Sequence, residues 1–256
     1  MKKTALAIET TGRVLSVALA TDGGVVCRRS DGELRHLTDL IPTVRELLDG
    51  EGAELSSLSY IAVSAGPGSF TGIRIGVSAA RAMAQVADLK VVKTPTLETF
   101  AYGYEPGEIV CPMLDARRGQ VYCGAYRLSE DVGAIEALVP SGVRTEDEFE
   151  AALAEALSAP AAVASSSLSP AAAAVSPSLS SAASAASSSL SFSAAGEIRR
   201  VRDEDEPQSA AKVLRWAESF GELIDYTQLE PIYMRKAEAQ RKLEERLAAE
   251  AANGER

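Results

Sequence analysis

The chain has 256 residues, which is long enough for one large domain or two smaller ones. Its 36 acidic and 26 basic side chains give a net charge of −10, which excludes tight binding of RNA or DNA by this chain alone unless a local basic patch overrides the overall charge. One histidine and three scattered cysteines provide no ligand cluster at zinc-like spacing, so no metal is predicted. The cysteine usage, with no recognisable signal peptide or membrane-spanning apolar run, predicts a cytoplasmic protein.

The first thirty residues predict three antiparallel strands. Apolar segments at 6–8 and 14–19 are separated by a polar turn, and a second turn at 21–24 precedes another apolar segment. The first turn offers hydroxyl and N–H groups to a phosphate, with Thr10 and Thr11 as candidate ligands. Hairpins also use threonine and glycine for turn geometry alone, so both interpretations stay open.

Residues 34–49 carry apolar side chains at i, i+3, i+4, i+7 spacing, which predicts an amphipathic helix. Pro42 lacks a backbone N–H, so the regular part is expected to begin near it. The only histidine, His36, is expected to be solvated at the helix start. The apolar stripe packs either on the chain's own sheet or on a helix of a partner. This stripe comprises Leu37, Leu40, Ile41, Val44, Leu47 and Leu48.

Residues 60–87 hold the most specific signal, a strand at 60–63 and a helix from Ile73 joined by a glycine-rich turn. Glycines before a helix N-terminus can seat a phosphate. The alternative is that they only allow strand and helix to pack closely, with Ser69 or Thr71 capping the helix. The turn is neither GxGxxG nor a P-loop, so both interpretations stay open. Its candidate phosphate or nucleotide ligands are Gly66, Gly68, Ser69, Thr71 and Gly72.

The second half of the chain begins with a predicted strand at 89–92 and a hairpin formed by 109–114 and 120–126. Arg117 and Arg118 in the hairpin turn either hold an anion or form a solvated turn. Thr145 and Glu148 match a capping box that opens a further helix.

These patterns predict an α/β protein with two lobes. Residues 1–105 form the N-terminal lobe and residues 106–235 a smaller second lobe, followed by a charged C-terminal helix at 236–256. Residues 158–195, within the second lobe, are almost all alanine and serine. Such a segment has too little apolar bulk to offset its ordering entropy, so a disordered or poorly packed insert is expected.

Several segments resemble the bacterial TsaB (YeaZ) family. The most specific is GPGSFTGIRIG at 66–76, and LAIETTGRVLSVAL, HLTDLIPTV, PTLETFA, PMLDARRGQVYCGAY and PIYMRK match in the same order. The resemblance covers most of residues 4–127 and a short stretch near Pro231. It implies the two-lobed, actin-like and sugar-kinase-like (ASKHA) fold, with mixed sheets flanked by helices. Glu9 departs from the family, which usually has Asp in the first phosphate loop.

The resemblance implies a non-catalytic scaffold subunit in the synthesis of threonylcarbamoyladenosine, the modified base next to the tRNA anticodon. Such a subunit pairs with the catalytic paralogue TsaD, helps to recruit the ATPase TsaE and contacts tRNA only through the complex. The paralogue binds its metal through two histidines, which a chain with one histidine cannot reproduce. No catalytic residue and no cofactor are therefore expected, although a nucleotide at the complex interface stays open. The alternatives are an ATP-binding enzyme of the same superfamily and a peptidase, for which no nucleophile or metal set is present.

The resemblance also implies that the helices at 36–49 and 72–87 pack against their counterparts in TsaD as a helical bundle. An apolar stripe left exposed exceeds what most monomers tolerate, so a homodimer is expected when the partner is absent. The predicted interface combines the stripe at 37–48 with five residues of the second helix. These are Ile73, Ile75, Val77, Ala80 and Met83.

Overall fold

The computed structural model describes residues 4–30, 35–129, 134–158 and 197–235. The strands of these residues are β1 (Ala5–Glu9), β2 (Ser16–Thr21), β3 (Gly24–Arg29), β4 (Tyr60–Ser64), β5 (Lys90–Thr94), β6 (Ile109–Asp115), β7 (Val121–Leu128), β8 (Ile135–Arg144), β9 (Ile198–Arg202) and β10 (Leu223–Ile224). The α-helices are α1 (His36–Gly50), α2 (Phe70–Ala87), α3 (Thr96–Ala101), α4 (Glu146–Ser158) and α5 (Ala210–Phe220). None of these helices has the length and apolarity that a membrane span requires.

The first sheet has six strands in the order β10-β5-β4-β1-β2-β3. Strands β1, β2 and β3 are successive antiparallel neighbours, which confirms the predicted meander. Strand β4 pairs in parallel with β1 on one side and with β5 on the other. The carboxyl ends of β1, β4 and β5 therefore lie at one edge of the sheet, and the turns that follow them meet there.

Strand alternation explains how the first sheet is covered on both faces. Leu6 and Ile8 of β1 point into a core formed with α1 and α2, whereas Ala5 and Ala7 point to the opposite face. Helix α5 covers that opposite face. The small alanine side chains leave room for α5 to lie close to the strands, so both faces of the sheet are buried.

Helix α1 begins at His36 rather than near Pro42, so the predicted start is wrong. The proline removes one hydrogen bond from the helix interior. The buried face of α1 offsets this loss, because Leu40 and Leu47 are almost fully buried against the sheet. Full burial of such side chains contributes about 1.5–3 kcal/mol each.

The second sheet has four strands in the order β8-β7-β6-β9. Strands β6 and β7 form the predicted hairpin, and β9 pairs in parallel with β6. Helix α4 packs on one side of this sheet through Phe149 and Leu153. It opens with the predicted capping box, since Thr145 N donates to Glu148 Oε2 at 2.7 Å and Glu148 N donates to Thr145 Oγ1 at 3.3 Å.

The chain returns to the first sheet after β9, because α5 and β10 both belong to that layer. A single cut at residue 105 therefore does not separate the two sheets, because α5 and β10, which the prediction assigned to the second lobe, belong to the first. Helix α3, in turn, packs on the second sheet. Apart from Ser158, which ends α4, the alanine-rich and serine-rich segment lies outside the described residues, as does the predicted charged helix at 236–256.

The buried carboxylate of Asp203, the residue after β9, connects the second sheet to the first. Its Oδ2 accepts a hydrogen bond of 2.8 Å from the backbone N–H of Arg13, in the turn after β1. Its Oδ1 accepts one of 3.1 Å from the N–H of Gln208, which leads into α5. A Cβ atom at Gly12 would lie 2.5 Å from Asp203 Oδ1, so glycine is required for this close approach. Asp203 thus ties the end of the second sheet to the first turn of the chain.

We predict that Asp203→Ala lowers the free energy of unfolding by about 3 kcal/mol, because the buried N–H of Gln208 and the partly buried N–H of Arg13 lose a charged acceptor. Urea unfolding followed by circular dichroism measures the change. The exposed neighbour Asp205 provides the matched control, and Asp205→Ala is expected to change stability by less than about 0.5 kcal/mol. Equal losses in the two variants would contradict the assigned role.

Candidate functional site

The structure brings the two predicted phosphate turns into direct contact. The turn after β1 and the glycine-rich turn after β4 follow neighbouring parallel strands. The backbone N–H of Ser69 donates to the carbonyl oxygen of Thr11 at 2.8 Å, and Thr10 Oγ1 donates to the carbonyl oxygen of Gly72 at 2.8 Å. Each turn therefore supplies hydrogen-bond partners to the other.

The glycines are required by this contact. Gly68 has a φ of +154°, and a Cβ atom there would lie 2.5 Å from the carbonyl oxygen of Thr11. A Cβ atom at Gly72 would lie 1.9 Å from the carbonyl oxygen of Thr10. Both distances are far shorter than van der Waals contact, so any larger residue would separate the turns. Close packing, one of the two predicted alternatives, accounts for these two glycines.

The third glycine of the turn receives the C-terminal end of the described chain. Gly66 has a φ of +121°, and a Cβ atom there would lie 2.3 Å from the carbonyl oxygen of Ile232. The N–H of Ile232 donates to the carbonyl oxygen of Ala65 at 2.7 Å. Residues 231–235 are thereby held against the start of α2.

The hydroxyl groups of the glycine-rich turn differ from its backbone in exposure. Ser69 caps α2, because its Oγ accepts a hydrogen bond of 3.2 Å from the N–H of Gly72, as one alternative predicted. Ser69 and Thr71 are exposed, whereas Thr10 and Thr11 are buried. The candidate glycines are buried as well. In this arrangement, a phosphate would reach the side chains of Ser69 and Thr71 but not those of the first turn.

The carboxyl group of Glu9 lies fully buried behind the two turns. Its Oε1 accepts hydrogen bonds from the N–H of Thr11 at 2.6 Å and from Thr11 Oγ1 at 2.5 Å. Among the described residues, Oε2 has no hydrogen-bond partner of good geometry, and neither has the hydroxyl of Ser64 at the end of the adjacent strand. Burial raises the pKa of Glu9 to about 7, the nearby Ser64 and Thr11 groups oppose this rise, and the charge of Asp203 adds to it.

The site therefore combines an inward-facing acid with an outward-facing pair of hydroxyls. Glu9 is shielded from solvent by the turn that it orders, so its chemistry is that of a buried titrating group. The described residues contain no group of three or more His, Cys, Asp or Glu side chains that could hold a metal ion. With its pKa raised to about 7, the Glu9 carboxyl changes its charge near neutral pH.

His36 is buried rather than solvated, which corrects the expectation from the sequence. It opens α1 and lies near the backbone of Gly12 and the carboxylate of Asp203. Burial lowers the pKa of His36, and the interactions with Gly12 and Asp203 oppose this decrease. The residues around the start of α1 are polar, but the turn after β1 packs against His36 and buries it.

The residues predicted to contact a partner divide into two groups. One group is buried within the chain's own core on the first sheet, although Val44 and Leu48 of this group also line a shallow groove beside α1. Its members are Leu40, Val44, Leu47, Leu48, Ile73, Val77 and Ala80. The other group is at the surface: Leu37 is 74% exposed and Ile41 is 54% exposed, while Ile75 and Met83 are partly exposed.

The surface group continues onto a residue that sequence reasoning missed. Val86, one helical turn after Met83 on α2, is 84% exposed. Between α1 and α2 lies a shallow groove of about 360 Å³ whose lining includes Ile41 and Met83. We call Leu37, Ile41, Met83 and Val86 the α1/α2 face. In the sequence, Val86 could be found only from its i, i+3 spacing to Met83, and this spacing does not show whether a helical side chain is exposed or buried.

Because the pKa of Glu9 is about 7 in the fold and 4.5 in the unfolded chain, the folded state holds this proton more tightly. The stability from this group is fully present below about pH 4.5 and is lost as the pH rises through about 7. The pKa difference corresponds to about 3 kcal/mol. We predict that Glu9→Gln removes this decline.

Urea unfolding at a series of pH values between 4 and 8 measures the effect, as the difference between the variant and the wild-type chain. Glu51→Gln, at an exposed carboxylate, is the matched control and is expected to leave the pH profile unchanged. Parallel profiles for Glu9→Gln and the wild-type chain would show that this carboxyl titrates alike in both states.

Comparison with known proteins adds to this geometry. A family model described as TsaD, tRNA N6-adenosine threonylcarbamoyltransferase, matches residues 13–241. The tRNA threonylcarbamoyladenosine biosynthesis protein TsaB of Bacillus subtilis (strain 168) is 37% identical over 139 residues, covering 54% of this chain and 60% of that protein. The protein of the same name from Escherichia coli (strain K12) is 36% identical over 129 residues, covering 49% of this chain and 56% of that protein. The aligned region thus spans less than two thirds of either relative.

The fold has a counterpart among solved structures. YeaZ from Pseudomonas aeruginosa superposes with a TM-score of 0.64 at 24% identity, covering 91% of this chain and all of that one. The fold is therefore the predicted actin-like, sugar-kinase-like (ASKHA) one, with two mixed sheets flanked by helices. The chain belongs to the family of the tRNA N6-adenosine threonylcarbamoyltransferase TsaD and, within it, to the TsaB (YeaZ) group.

Proposed function

We propose that this chain is a non-catalytic scaffold subunit required for threonylcarbamoyl transfer to the adenosine next to the tRNA anticodon. In this role it pairs with the catalytic paralogue TsaD and helps to recruit the ATPase TsaE. Its relatives from Bacillus subtilis and Escherichia coli are named for the biosynthesis of threonylcarbamoyladenosine, which supports the pathway. With one histidine in the whole sequence, the chain cannot form the histidine pair of the catalytic paralogue.

The observation that carries the proposal is the α1/α2 face. Leu37 and Ile41 are one helical turn apart on α1, and Met83 and Val86 are one turn apart on α2. One residue of each pair, Ile41 on α1 and Met83 on α2, lines the groove between the helices. Exposed apolar patches of this kind mark protein interfaces, and two adjacent helices fit a partner's helices by ridges-into-grooves packing. When the partner is absent, the same face pairs two copies of this chain.

The buried residues of α1 are not suitable positions for testing the α1/α2 face. Leu40 and Val44 hold α1 on its own sheet, so substituting them would unfold the lobe rather than test an interface. A test of the interface must therefore use exposed residues. Ile41 is the best choice, because it is 54% exposed and lies at the edge of the groove.

We predict that Ile41→Glu weakens the binding of the catalytic paralogue at least tenfold, because a charge is buried in an apolar contact. The chain and the paralogue from the same genome are expressed together, and size exclusion and calorimetry measure the complex. Val25→Glu is the matched control. Val25 is 52% exposed on β3, and because side chains alternate along a strand it lies on the opposite face from Val26, which packs on the core with α1 and α2. Unchanged binding by folded Ile41→Glu would rule out the α1/α2 face as the interface.

The function itself is tested in a strain that lacks this chain. We expect the threonylcarbamoyl nucleoside to disappear from total tRNA, as measured by mass spectrometry, and to return with the wild-type chain or Val25→Glu but not with Ile41→Glu. Full modification in the deletion strain would overturn the proposed function. Calorimetric titration of the purified chain with Mg²⁺-ATP tests the alternative of an ATP-binding enzyme, for which Ser69 and Thr71 are the accessible candidates.

A further inference from the structure

An aromatic cluster lies at the N-terminal end of α2, where the C-terminal segment 231–235 crosses it. The rings of Phe70 and Tyr233 are stacked, with centroids 4.9 Å apart and planes 29° apart. The guanidinium carbon of Arg74 lies 4.5 Å from the centroid of the Phe70 ring. Tyr233 remains 43% exposed in this arrangement. The cluster therefore presents a supported aromatic ring, with an arginine beside it, to solvent.

Further arginines lie next to this cluster. Arg235, two residues after Tyr233 and so at most about 7 Å from it along the backbone, donates a hydrogen bond to the carbonyl oxygen of Ala116. That contact places Tyr233 near the turn between β6 and β7. The side chain of Arg117 in this turn is 86% exposed.

Two acidic residues lie beside these arginines. Arg117 pairs with Asp115 at 3.4 Å, but the Asp115 side chain is 65% exposed. Exposed pairs of this kind contribute little stability, so a phosphate can replace the carboxylate. Glu230 is a further exposed acid near segment 231–235. The three arginines Arg74, Arg117 and Arg235 thus outnumber the two acids Asp115 and Glu230 by one charge, in a chain whose net charge is −10.

We propose that Phe70, Arg74, Arg117, Tyr233 and Arg235 form a patch that binds a single-stranded segment of RNA. One unstacked base packs on Tyr233, and the phosphates beside it contact Arg74 and Arg117. The identity of this RNA as the anticodon loop of tRNA rests on the proposed function, whereas the chemistry of the patch does not. This patch adds a direct RNA contact to the proposed scaffold role, and it replaces the expectation that the chain contacts tRNA only through the complex.

The geometry favours an unpaired strand over a duplex. Base faces are accessible to an aromatic side chain only where they are not stacked within a helix. Stacking on a protein ring is tolerant of sequence, and neighbouring arginines supply the electrostatic attraction. Phe70 stacks on Tyr233 and is itself packed against Arg74, so the Tyr233 ring is ordered before RNA arrives and loses little entropy on binding.

The test measures fluorescence anisotropy with the full chain and two labelled RNA probes at about 50 mM salt. One probe is a hairpin whose loop reproduces a tRNA anticodon loop, and the other is the same stem closed as a duplex without the loop. We expect the hairpin to bind more tightly than the duplex. We expect Tyr233→Ala to weaken hairpin binding about fivefold or more, with little effect on the duplex. Tyr233→Phe retains the ring and is expected to bind as the wild-type chain does.

The arginine variants test the charged half of the patch. Arg74→Gln and Arg117→Gln should each weaken hairpin binding and reduce the slope of log K against log salt by about 0.7–1. Arg28→Gln is the matched control, because Arg28 is exposed on β3 at the far edge of the first sheet. No hairpin binding by the chain, equal weakening by Arg28→Gln, or full binding by folded Tyr233→Ala would each overturn the proposal.

These outcomes are separate from those of the proposed function. Ile41→Glu should weaken binding of the catalytic paralogue but leave hairpin binding unchanged. Tyr233→Ala should weaken hairpin binding but leave binding of the paralogue unchanged. A deletion strain with normal tRNA modification would remove the proposed function and leave RNA binding by the patch intact. A chain that is required for modification, but whose Tyr233→Ala variant binds the hairpin normally, would remove the patch alone.

Discussion

The contact between the turn after β1 and the glycine-rich turn after β4 determines how the rest of this protein is arranged. The two turns can meet because Gly68 and Gly72 have no side chain to hold them apart. Once joined, they fix the start of α2 against the first sheet and close over Glu9. A motif that resembles an anion seat is therefore largely filled by the chain's own backbone.

Closing the turns has an electrostatic cost that the structure limits but does not remove. Glu9 orders the first turn through Thr11, yet its second oxygen has no good partner among the described residues, and the carboxylate of Asp203 lies nearby. A protonated Glu9 is thus compatible with Asp203 in one polar region, whereas two charged groups repel each other. Both oxygens of Asp203 accept hydrogen bonds from backbone N–H groups, those of Arg13 and Gln208. Glu9 is therefore the carboxyl group of this region that keeps an oxygen without a good partner among the described residues.

Local patterns predicted the elements well, because strand alternation and helical spacing are recorded in neighbouring residues. The meander of β1 to β3, the hairpin of β6 and β7 and the capping box of α4 were all recognisable for this reason. The same spacing could not say whether Leu40 faces its own sheet or a partner, since both require an identical stripe. Pairings between distant segments left no local signal. This explains why the helical pattern around Val213 and Trp216 was recognisable as α5, whereas its packing on the first sheet, β10 and the Phe70–Tyr233 stack were not predicted.

Helix α2 links the glycine contact to the two proposed binding surfaces, the aromatic cluster and the α1/α2 face. Its first turn holds the glycine contact and the aromatic cluster, and its last turn carries Val86 of the α1/α2 face. At 1.5 Å per residue, the sixteen positions from Phe70 to Val86 span about 24 Å of rigid helix. A partner docked at one end would therefore stand at a fixed distance from a strand bound at the other. For the scaffold subunit proposed above, this geometry provides a physical role, because a rigid helix orients a bound substrate relative to an active site that the proposed partner supplies.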